Sequence, residues 1–214
     1  MLKIQSFEFN PFQENTYILY DETLECVVID PGCYEKDEQS ELSSMIESEG
    51  LKVKMVLNTH CHVDHVLGNW YVKSKYGVEL FIHPKDEIVL KAVKVYAPNY
   101  GMHGYQEAEP DDYLDESRPV HFGNQTLKVL FVPGHAPGHV AFYHEESRQL
   151  IGGDVLFYNS IGRTDLPGGN YDTLIESIHQ KLFTLPDDVV VYPGHGPKTS
   201  VGFEKKTNPF CAIE

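Results

Sequence analysis

The sequence predicts an α/β fold, and two patterns support that class. Apolar and β-branched runs of strand length alternate with segments in which apolar residues recur at helical spacing. Several of the apolar runs lead directly into histidine or aspartate residues, as in open α/β sheets that bind ligands at the carboxyl ends of their strands. At 214 residues and 41% hydrophobic composition, the chain can bury a substantial core.

The predicted elements begin with three strands and then alternate between helices and strands. The first three strands are expected to pair in antiparallel fashion. Gly50 is a natural C-terminal cap for the first helix, and Pro84 stands in the first turn of the third. Predicted strands cover residues 4–9, 16–20, 26–30, 53–57, 78–82, 126–132, 139–144, 149–151 and 189–192, and predicted helices cover 38–49, 65–75, 84–95 and 171–183.

One segment, residues 96–119, has no regular pattern. It is rich in proline, glycine, tyrosine, histidine and acidic residues, and it is too long for a simple connection. We interpret it as a lid or substrate loop within a single domain that spans residues 1–214, because the length of the chain is typical of one domain.

Charge and composition exclude several classes of partner. The 17 basic and 32 acidic residues give a formal charge of −15, which disfavours nucleic acid and anionic lipid. No apolar run approaches the roughly 18 residues of a membrane span, and the start lacks the pattern of a signal peptide. The four cysteines form no C-x-x-C pair and predict no disulfide framework. We expect a cytoplasmic protein with a small-molecule substrate, and its oligomeric state stays open.

A dense group of metal-ligating residues lies in the run 59–65, just after a predicted strand. His60 and His62 stand two residues apart, so in an extended segment both side chains lie on one side and can reach one ion. Asp64 and His65 follow, and a turn into a helix there would direct them to a second position nearby. Imidazoles together with a carboxylate suit zinc, iron or manganese.

Three further candidate ligands, His135, Asp154 and His195, each follow a predicted strand. His135 and His195 both stand in a Pro-Gly-His sequence, which permits a sharp turn that directs the side chain into a cleft. Asp154 follows two glycines among apolar residues, where a carboxylate without a partner would be costly to bury. Any one of them could be an ordinary turn residue, but their recurrence at three strand ends predicts that they complete a metal site.

These motifs resemble the metallo-β-lactamase fold superfamily, in particular its glyoxalase II-like hydrolases. The run 60–65 fits the H-x-H-x-D-H motif of the superfamily, and His135, Asp154 and His195 occur in the expected order, so the match covers nearly the whole chain. Weaker matches to glyoxalase II-like proteins cover residues 152–157, 161–165 and 204–210. The resemblance implies a four-layer αββα sandwich, in which two mixed β-sheets are flanked by helices and the metals lie at one edge.

The resemblance also implies roles for the candidate ligands around two divalent metal ions. It assigns His60, His62 and His135 to the first ion, Asp64, His65 and His195 to the second, and Asp154 to a bridge between them. We expect zinc, with iron or manganese as alternatives. Two such ions lower the pKa of a bridging water, so that hydroxide is available near neutral pH to attack a thioester such as S-lactoylglutathione. Asp64 is expected to bind metal and also to orient that hydroxide as a catalytic residue.

Two alternatives stay open at this point. We expect no counterpart of the C-terminal helical domain that supplies much of the glutathione-binding surface of full-length glyoxalase II, since few residues follow His195, and the thiol of the substrate stays open. A mononuclear iron persulfide dioxygenase has a cysteine at the position of Cys61 and shares the segment 162–165, but typically has alanine in place of Gly194. We expect Cys61 itself to be packed rather than catalytic. A non-catalytic metal-binding protein of the same fold is the alternative of another class.

Other residues are candidates for supporting the metals or binding substrate. Asp30 ends an apolar strand and could accept a hydrogen bond from a ligand imidazole, and His139 could have a similar supporting role. Each could also be purely structural. Arg163 matches a basic position near the substrate in glyoxalase II-like proteins, and a guanidinium there would suit a carboxylate. The aromatic residues expected to line the substrate pocket are Tyr96, Tyr100 and Tyr105.

Overall fold

The computed structural model describes residues 1–213, which form two compact units. The N-terminal unit comprises residues 1–114 and 121–126, and the C-terminal unit comprises residues 115–120 and the chain from Leu127 onward. Each unit has its own hydrophobic core. Within residues 1–213, no helix is both long and apolar enough to cross a membrane.

The first sheet has six strands in the order in which they occur along the chain. Its strands are β1 (Lys3–Phe9), β2 (Glu14–Tyr20), β3 (Glu25–Ile29), β4 (Lys52–Leu57), β5 (Glu79–Ile82) and β6 (Asp112–Tyr113). Strands β1 to β3 pair in antiparallel fashion, which confirms the predicted opening, and β3 to β6 pair in parallel. The sheet is therefore mixed, and the carboxyl ends of β3 and β4 lie at the same edge.

The helices of the N-terminal unit are α1 (Lys36–Ser48), α2 (Val63–Val66), α3 (Asn69–Tyr76) and α4 (Glu87–Tyr96). A capping box begins α1, since the Glu35 side chain accepts from the backbone of Glu38 and the Glu38 side chain accepts from that of Glu35. Short 3₁₀ turns precede and follow α4, so the irregular segment begins with a turn at Ala97–Tyr100 and later includes β6.

The prediction of one continuous helix over residues 65–75 is wrong, because α2 and α3 are separate helices. Gly68 stands between them, and its backbone lies against the preceding loop. A Cβ on Gly68 would lie 2.8 Å from the Pro31 carbonyl oxygen and 2.5 Å from the Cys33 sulfur. The Gly68 N–H also donates to the Pro31 carbonyl at 2.7 Å. This close approach fixes the chain at Gly68 and ends α2 after a single turn.

The second sheet also has six strands, in the order β14-β13-β10-β9-β8-β7. These are β7 (Val120–Phe122), β8 (Gln125–Phe131), β9 (Val140–His144), β10 (Gln149–Gly153), β13 (Val190–Pro193) and β14 (Thr199–Ser200), while β11 (Leu156–Phe157) and β12 (Ser160–Ile161) form a small hairpin. Strands β10 and β13 are parallel neighbours, whereas β10 pairs with β9 in antiparallel fashion. Both sheets are thus mixed.

The helices of the C-terminal unit are α5 (Tyr171–Ser177), which continues as a π-helical turn through Leu182, and α6 (Val201–Thr207). The helix predicted over residues 171–183 is therefore present. The Asn170 side chain caps α5 by accepting from the Thr173 N–H, and Ser200 caps α6 in the same way. Helix α6 was missed in the sequence, because its seven residues are too few to show a clear apolar period.

The core of the N-terminal unit gives a first testable prediction. Leu42 on α1 is fully buried in this core, whereas Ser44 on the same helix is exposed. We expect Leu42→Ala to lower the free energy of unfolding by about 2–5 kcal/mol, because it removes buried methyl groups and leaves a cavity. Ser44→Ala should change it by less than about 0.5 kcal/mol. Chemical denaturation followed by circular dichroism measures both, and equal midpoints for the two variants would contradict the assigned helix face.

Candidate metal centre

The predicted histidine run lies at the carboxyl edge of the first sheet. It follows β4, and its last residues turn into α2 as expected, so Asp64 and His65 are helical while His60 and His62 are not. All four side chains are buried. Ring centroids of His60 and His62 are 4.8 Å apart, and those of His60 and His65 are 4.1 Å apart. The structure therefore brings the three imidazoles of this run together.

Asp30 follows the neighbouring strand β3 and contacts this run directly. Its Oδ2 lies 3.1 Å from His65 Nδ1, and its Oδ1 accepts from the Thr59 backbone N–H at 2.7 Å. A carboxylate can only accept, so the contact places the His65 proton on Nδ1 and leaves Nε2 with the lone pair that a metal requires. Asp30 adopts a left-handed φ of 49°, a strained conformation held by these bonds.

The structure places the three predicted ligands of the C-terminal unit around one carboxylate. Asp154 follows β10 and His195 follows β13, and these strands are parallel neighbours. Asp154 Oδ2 lies 3.6 Å from His135 Nε2 and 3.5 Å from His195 Nε2. His135 and Asp154 are buried, while His195 is partly exposed. The three side chains thus converge, as their repeated position after strands predicts.

The spacing of these donor atoms fits a first-row metal ion. Tetrahedral coordination with bonds of about 2.0–2.2 Å places neighbouring donor atoms roughly 3.4 Å apart. The Asp154 contacts of 3.5 and 3.6 Å match this value, and so does the 3.6 Å between Asp64 Oδ2 and His65 Nε2. Imidazole nitrogens with carboxylate oxygens form a donor set typical of zinc, iron and manganese.

Main-chain groups take part in the contacts that hold two candidate ligands of the C-terminal unit, His135 and Asp154. His135 Nδ1 lies 2.8 Å from the Arg163 carbonyl oxygen, so Nδ1 donates and Nε2 faces Asp154. The Asp154 backbone N–H donates to His139 Nε2 at 2.9 Å. His139 therefore contacts the main chain of a candidate ligand, whereas Asp30 contacts a candidate ligand imidazole. The supporting roles expected for these two residues are thus different in kind.

The Arg163 side chain is held by a neighbouring acid. Its Nε and Nη2 donate to the two carboxylate oxygens of Asp165, each at 2.7 Å, and both side chains are largely exposed. The guanidinium lowers the pKa of Asp165 to about 2. A substrate carboxylate at Arg163 would have to compete with this bidentate pair.

Two of the three predicted substrate tyrosines contact each other, and a phenylalanine joins them. The ring centroids of Tyr96 and Tyr100 are 6.1 Å apart, and those of Phe12 and Tyr100 are 5.5 Å apart, both edge to face. We call Phe12, Tyr96 and Tyr100 the aromatic cluster. Tyr100 is 52% exposed. Tyr105 is different, because its hydroxyl is buried, and among the described residues it has no hydrogen-bond partner. Phe12 lies in the turn after β1 and was not singled out in the sequence.

Glu14 is a second residue that sequence reasoning missed. It begins β2 and is fully buried, its Oε2 accepts from Thr16 Oγ1 at 2.9 Å, and its Oε1 lies 3.9 Å from His65 Nδ1. Burial raises the pKa of the Glu14 carboxyl well above its ordinary value. An acidic residue beside an asparagine is typical of a surface turn, so the sequence offers no signal for this position.

Comparison with known proteins identifies the family. Residues 9–195 match the metallo-beta-lactamase superfamily. This chain belongs to the metallo-β-lactamase superfamily. Membership confirms the predicted fold, the αββα sandwich of two mixed β-sheets flanked by helices. It also supports a metal-dependent hydrolase.

Similar members match along almost their full length. Hydroxyacylglutathione hydrolase GloC of Haemophilus influenzae is 36% identical over 211 residues, which cover 98% of each chain. The crystal structure of BLEG-1 B3 metallo-beta-lactamase has a TM-score of 0.89 at 34% identity and covers 99% of this chain and 100% of that one. A di-iron-bound form of TTHA1623 has a TM-score of 0.86 at 35% identity and covers 96% and 99%.

Cys61 is packed in the core, as predicted from its intervening position. It is fully buried, and its backbone N–H donates to Asp86 Oδ2 at 2.7 Å. Cys26, Cys33 and Cys211 are buried as well. Burial raises the pKa of Cys26 and of Cys211 to about 12, so their thiolate forms are scarce near neutral pH.

Thiol titration tests this burial. We expect none of the four cysteines to react with an aromatic disulfide reagent at pH 8 on the time scale on which free cysteine reacts, and all four to react after denaturation. Absorbance of the released chromophore gives both counts. One rapidly reacting thiol per native chain, lost in Cys61→Ser, would show that Cys61 is accessible and would reopen its catalytic role.

Proposed function

We propose that the chain is a binuclear metal-dependent hydrolase that acts on acyl thioesters. The observation that supports this most strongly is the set of imidazole and carboxylate donors at metal-ligand spacing, 3.5 and 3.6 Å around Asp154 and 3.6 Å between Asp64 and His65. Following the superfamily motif, we propose that His60, His62 and His135 hold one ion, that Asp64, His65 and His195 hold the second, and that Asp154 binds both. Residues 1–214 would then act as one catalytic domain.

The proposed donor set suits zinc first, and iron or manganese as alternatives. The di-iron-bound form of a protein 35% identical to this chain supports iron as an alternative. When bound, two divalent ions lower the pKa of a water molecule and polarise the carbonyl under attack. The ligand side chains must stay neutral or anionic to bind them, so binding would weaken as the imidazoles become protonated below their pKa.

The protein's own residues would orient the attacking water and the imidazoles. The Asp64 carboxylate would accept a hydrogen bond from the attacking water and so direct its oxygen at the carbonyl carbon. Asp30 keeps the His65 proton on Nδ1, and the Arg163 carbonyl does the same for His135. The attacking water gives one proton to solvent as the carbon–oxygen bond forms, the carbon–sulfur bond breaks, and the departing thiolate takes a proton from solvent. No side chain is needed as a nucleophile.

The thioester is supported by similarity to a hydroxyacylglutathione hydrolase that matches over 98% of its length. In this chain Arg163 is the candidate contact for a substrate carboxylate, and the aromatic cluster together with Tyr105 is the candidate contact for apolar parts of the substrate. S-Lactoylglutathione is therefore the first substrate to assay, beside simple acyl thioesters.

Metal removal and ligand substitution test the proposal together. We expect about two metal ions per chain, and loss of thioester hydrolysis on dialysis against a chelator, with recovery on adding zinc. Asp154→Ala and His62→Ala should each lower kcat/KM by at least about 10³-fold, because each removes a ligand. Metal analysis and thiol release measure these effects.

The exposed His121 supplies a matched control. His121→Ala also removes an imidazole, but this imidazole contacts the Thr126 hydroxyl and is not a candidate ligand. Full hydrolysis by metal-free protein would overturn the proposal. Two further outcomes would redirect it. Turnover of a chromogenic cephalosporin in place of thioesters would make it a β-lactamase, as one similar structure is named. A single iron with oxygen uptake on adding glutathione persulfide would make it a dioxygenase.

The aromatic cluster gives a prediction about specificity. Tyr100→Ala should raise KM for thioesters with aromatic or long acyl groups by about 3–10-fold and leave kcat nearly unchanged, because an exposed ring at this place would bind substrate without touching the reacting atoms. Steady-state kinetics with acetyl and benzoyl thioesters measure the difference. Tyr113→Ala is the control, since Tyr113 is also partly exposed but its hydroxyl donates a hydrogen bond to the Glu87 carboxylate. Unchanged KM values in Tyr100→Ala would exclude the cluster from substrate binding.

A further inference from the structure

Helix α2 is too short to hold its own position. It comprises only Val63–Val66, yet it includes Asp64 and His65. A single helical turn fixes several backbone dihedrals for very few hydrogen bonds, so it is unstable without outside contacts. Its carbonyl groups also lack the partners that a longer helix would supply. The conformation of this turn must therefore come from other parts of the N-terminal unit.

Two buried amide side chains supply partners for these carbonyls. Asn10 Nδ2 donates to the Asp64 carbonyl at 3.1 Å, and Asn58 Nδ2 donates to the His65 carbonyl at 3.0 Å. Asn10 Nδ2 also donates to the Gly32 carbonyl at 3.1 Å. One amide group thus joins the turn at Asp64 to the loop that follows Asp30.

Asn10 is itself held firmly in place. Its backbone has a left-handed φ of 53°, which asparagine tolerates better than most residues. Its N–H donates to Glu38 Oε1 at 2.6 Å, and its side-chain oxygen accepts from the Phe12 N–H at 3.0 Å. The other Glu38 oxygen accepts from the Tyr34 N–H at 2.7 Å, which ties the turn to the start of α1. The amide of Asn10 therefore has little freedom to rotate.

We propose that Asn10 is a positioning residue that fixes Asp64 for metal binding through the Asp64 carbonyl. The inference rests on the proposed function, in which Asp64 binds one of two ions. Asn10 would act through the backbone of α2 and would contact neither metal nor substrate. Its loss should therefore weaken the ion bound by Asp64 while the other ion remains.

Two variants with a matched control test this role. Asn10→Gly removes the amide and accepts the positive φ without strain, and Asn10→Asp keeps the acceptor for the Phe12 N–H but removes both donors. Gln13→Gly is the control, because Gln13 lies in the same turn with a φ of 58° and its amide donates to the exposed carboxylate of Glu8 at 3.4 Å. Competition with a chromogenic chelator measures zinc affinity at each site, and thermal unfolding of the metal-free proteins reports stability.

We expect both Asn10 variants to lose about 10–100-fold in affinity for one of two zinc ions, with the other ion and the Gln13→Gly protein unchanged. Wild-type affinity for both ions in Asn10→Gly would overturn the inference and leave the proposed function intact. Equal weakening of both sites would also overturn it, since that indicates general destabilisation. Wild-type protein that binds fewer than two ions would overturn the proposed function, and this inference with it.

Discussion

Burial of ionisable side chains at the carboxyl ends of β3 and β4 is the constraint on which the N-terminal unit depends. His60, His65, Asp30 and Glu14 are all almost completely excluded from solvent. Burying a charge without a partner costs several kcal/mol. The surrounding chain reduces this cost through Asp30, whose carboxylate accepts from Thr59 and contacts His65. The same bonds fix the direction of the His65 imidazole, so the contacts that offset the cost of burial also orient a candidate metal ligand.

His65 and His135, one candidate ligand from each unit, are oriented by different kinds of contact. In the N-terminal unit, side chains contact the candidate ligands: the Asp30 carboxylate contacts the His65 imidazole, and the Asn10 amide donates to the Asp64 carbonyl. In the C-terminal unit, the Arg163 main-chain carbonyl orients His135. A main-chain contact survives substitution of the residue that supplies it, whereas a side-chain contact does not. Ligand orientation in the N-terminal unit is consequently more sensitive to point mutation than orientation of His135.

The candidate ligands could be identified in the sequence because metal coordination requires particular residue types at particular spacings. Neither core packing nor an ordinary surface turn requires the histidines and aspartate of the run 60–65, or a Pro-Gly-His sequence repeated after two strands. Strand positions followed from apolar runs for a similar reason. Asn10, Asn58, Phe12 and Glu14 could not be predicted, since their roles arise from contacts with residues distant in the chain. The break between α2 and α3 could not be predicted for the same reason. Glycine is required at position 68 because a Cβ there would lie too close to the Pro31 carbonyl oxygen.

The proposed metal ligands and the proposed substrate contacts differ in their exposure to solvent. Six of the seven proposed ligands are buried and His195 is partly exposed, so changes at the buried six would affect the proposed reaction and stability together. Tyr100 and Arg163 are exposed, and the Arg163 guanidinium already satisfies Asp165. A substrate carboxylate that replaces Asp165 at Arg163 gains only the difference in free energy between the two ion pairs. This difference is small because exposed ion pairs contribute little. Affinity for a substrate with an anionic group must therefore come mainly from other contacts, and the aromatic cluster is the proposed contact for its apolar parts.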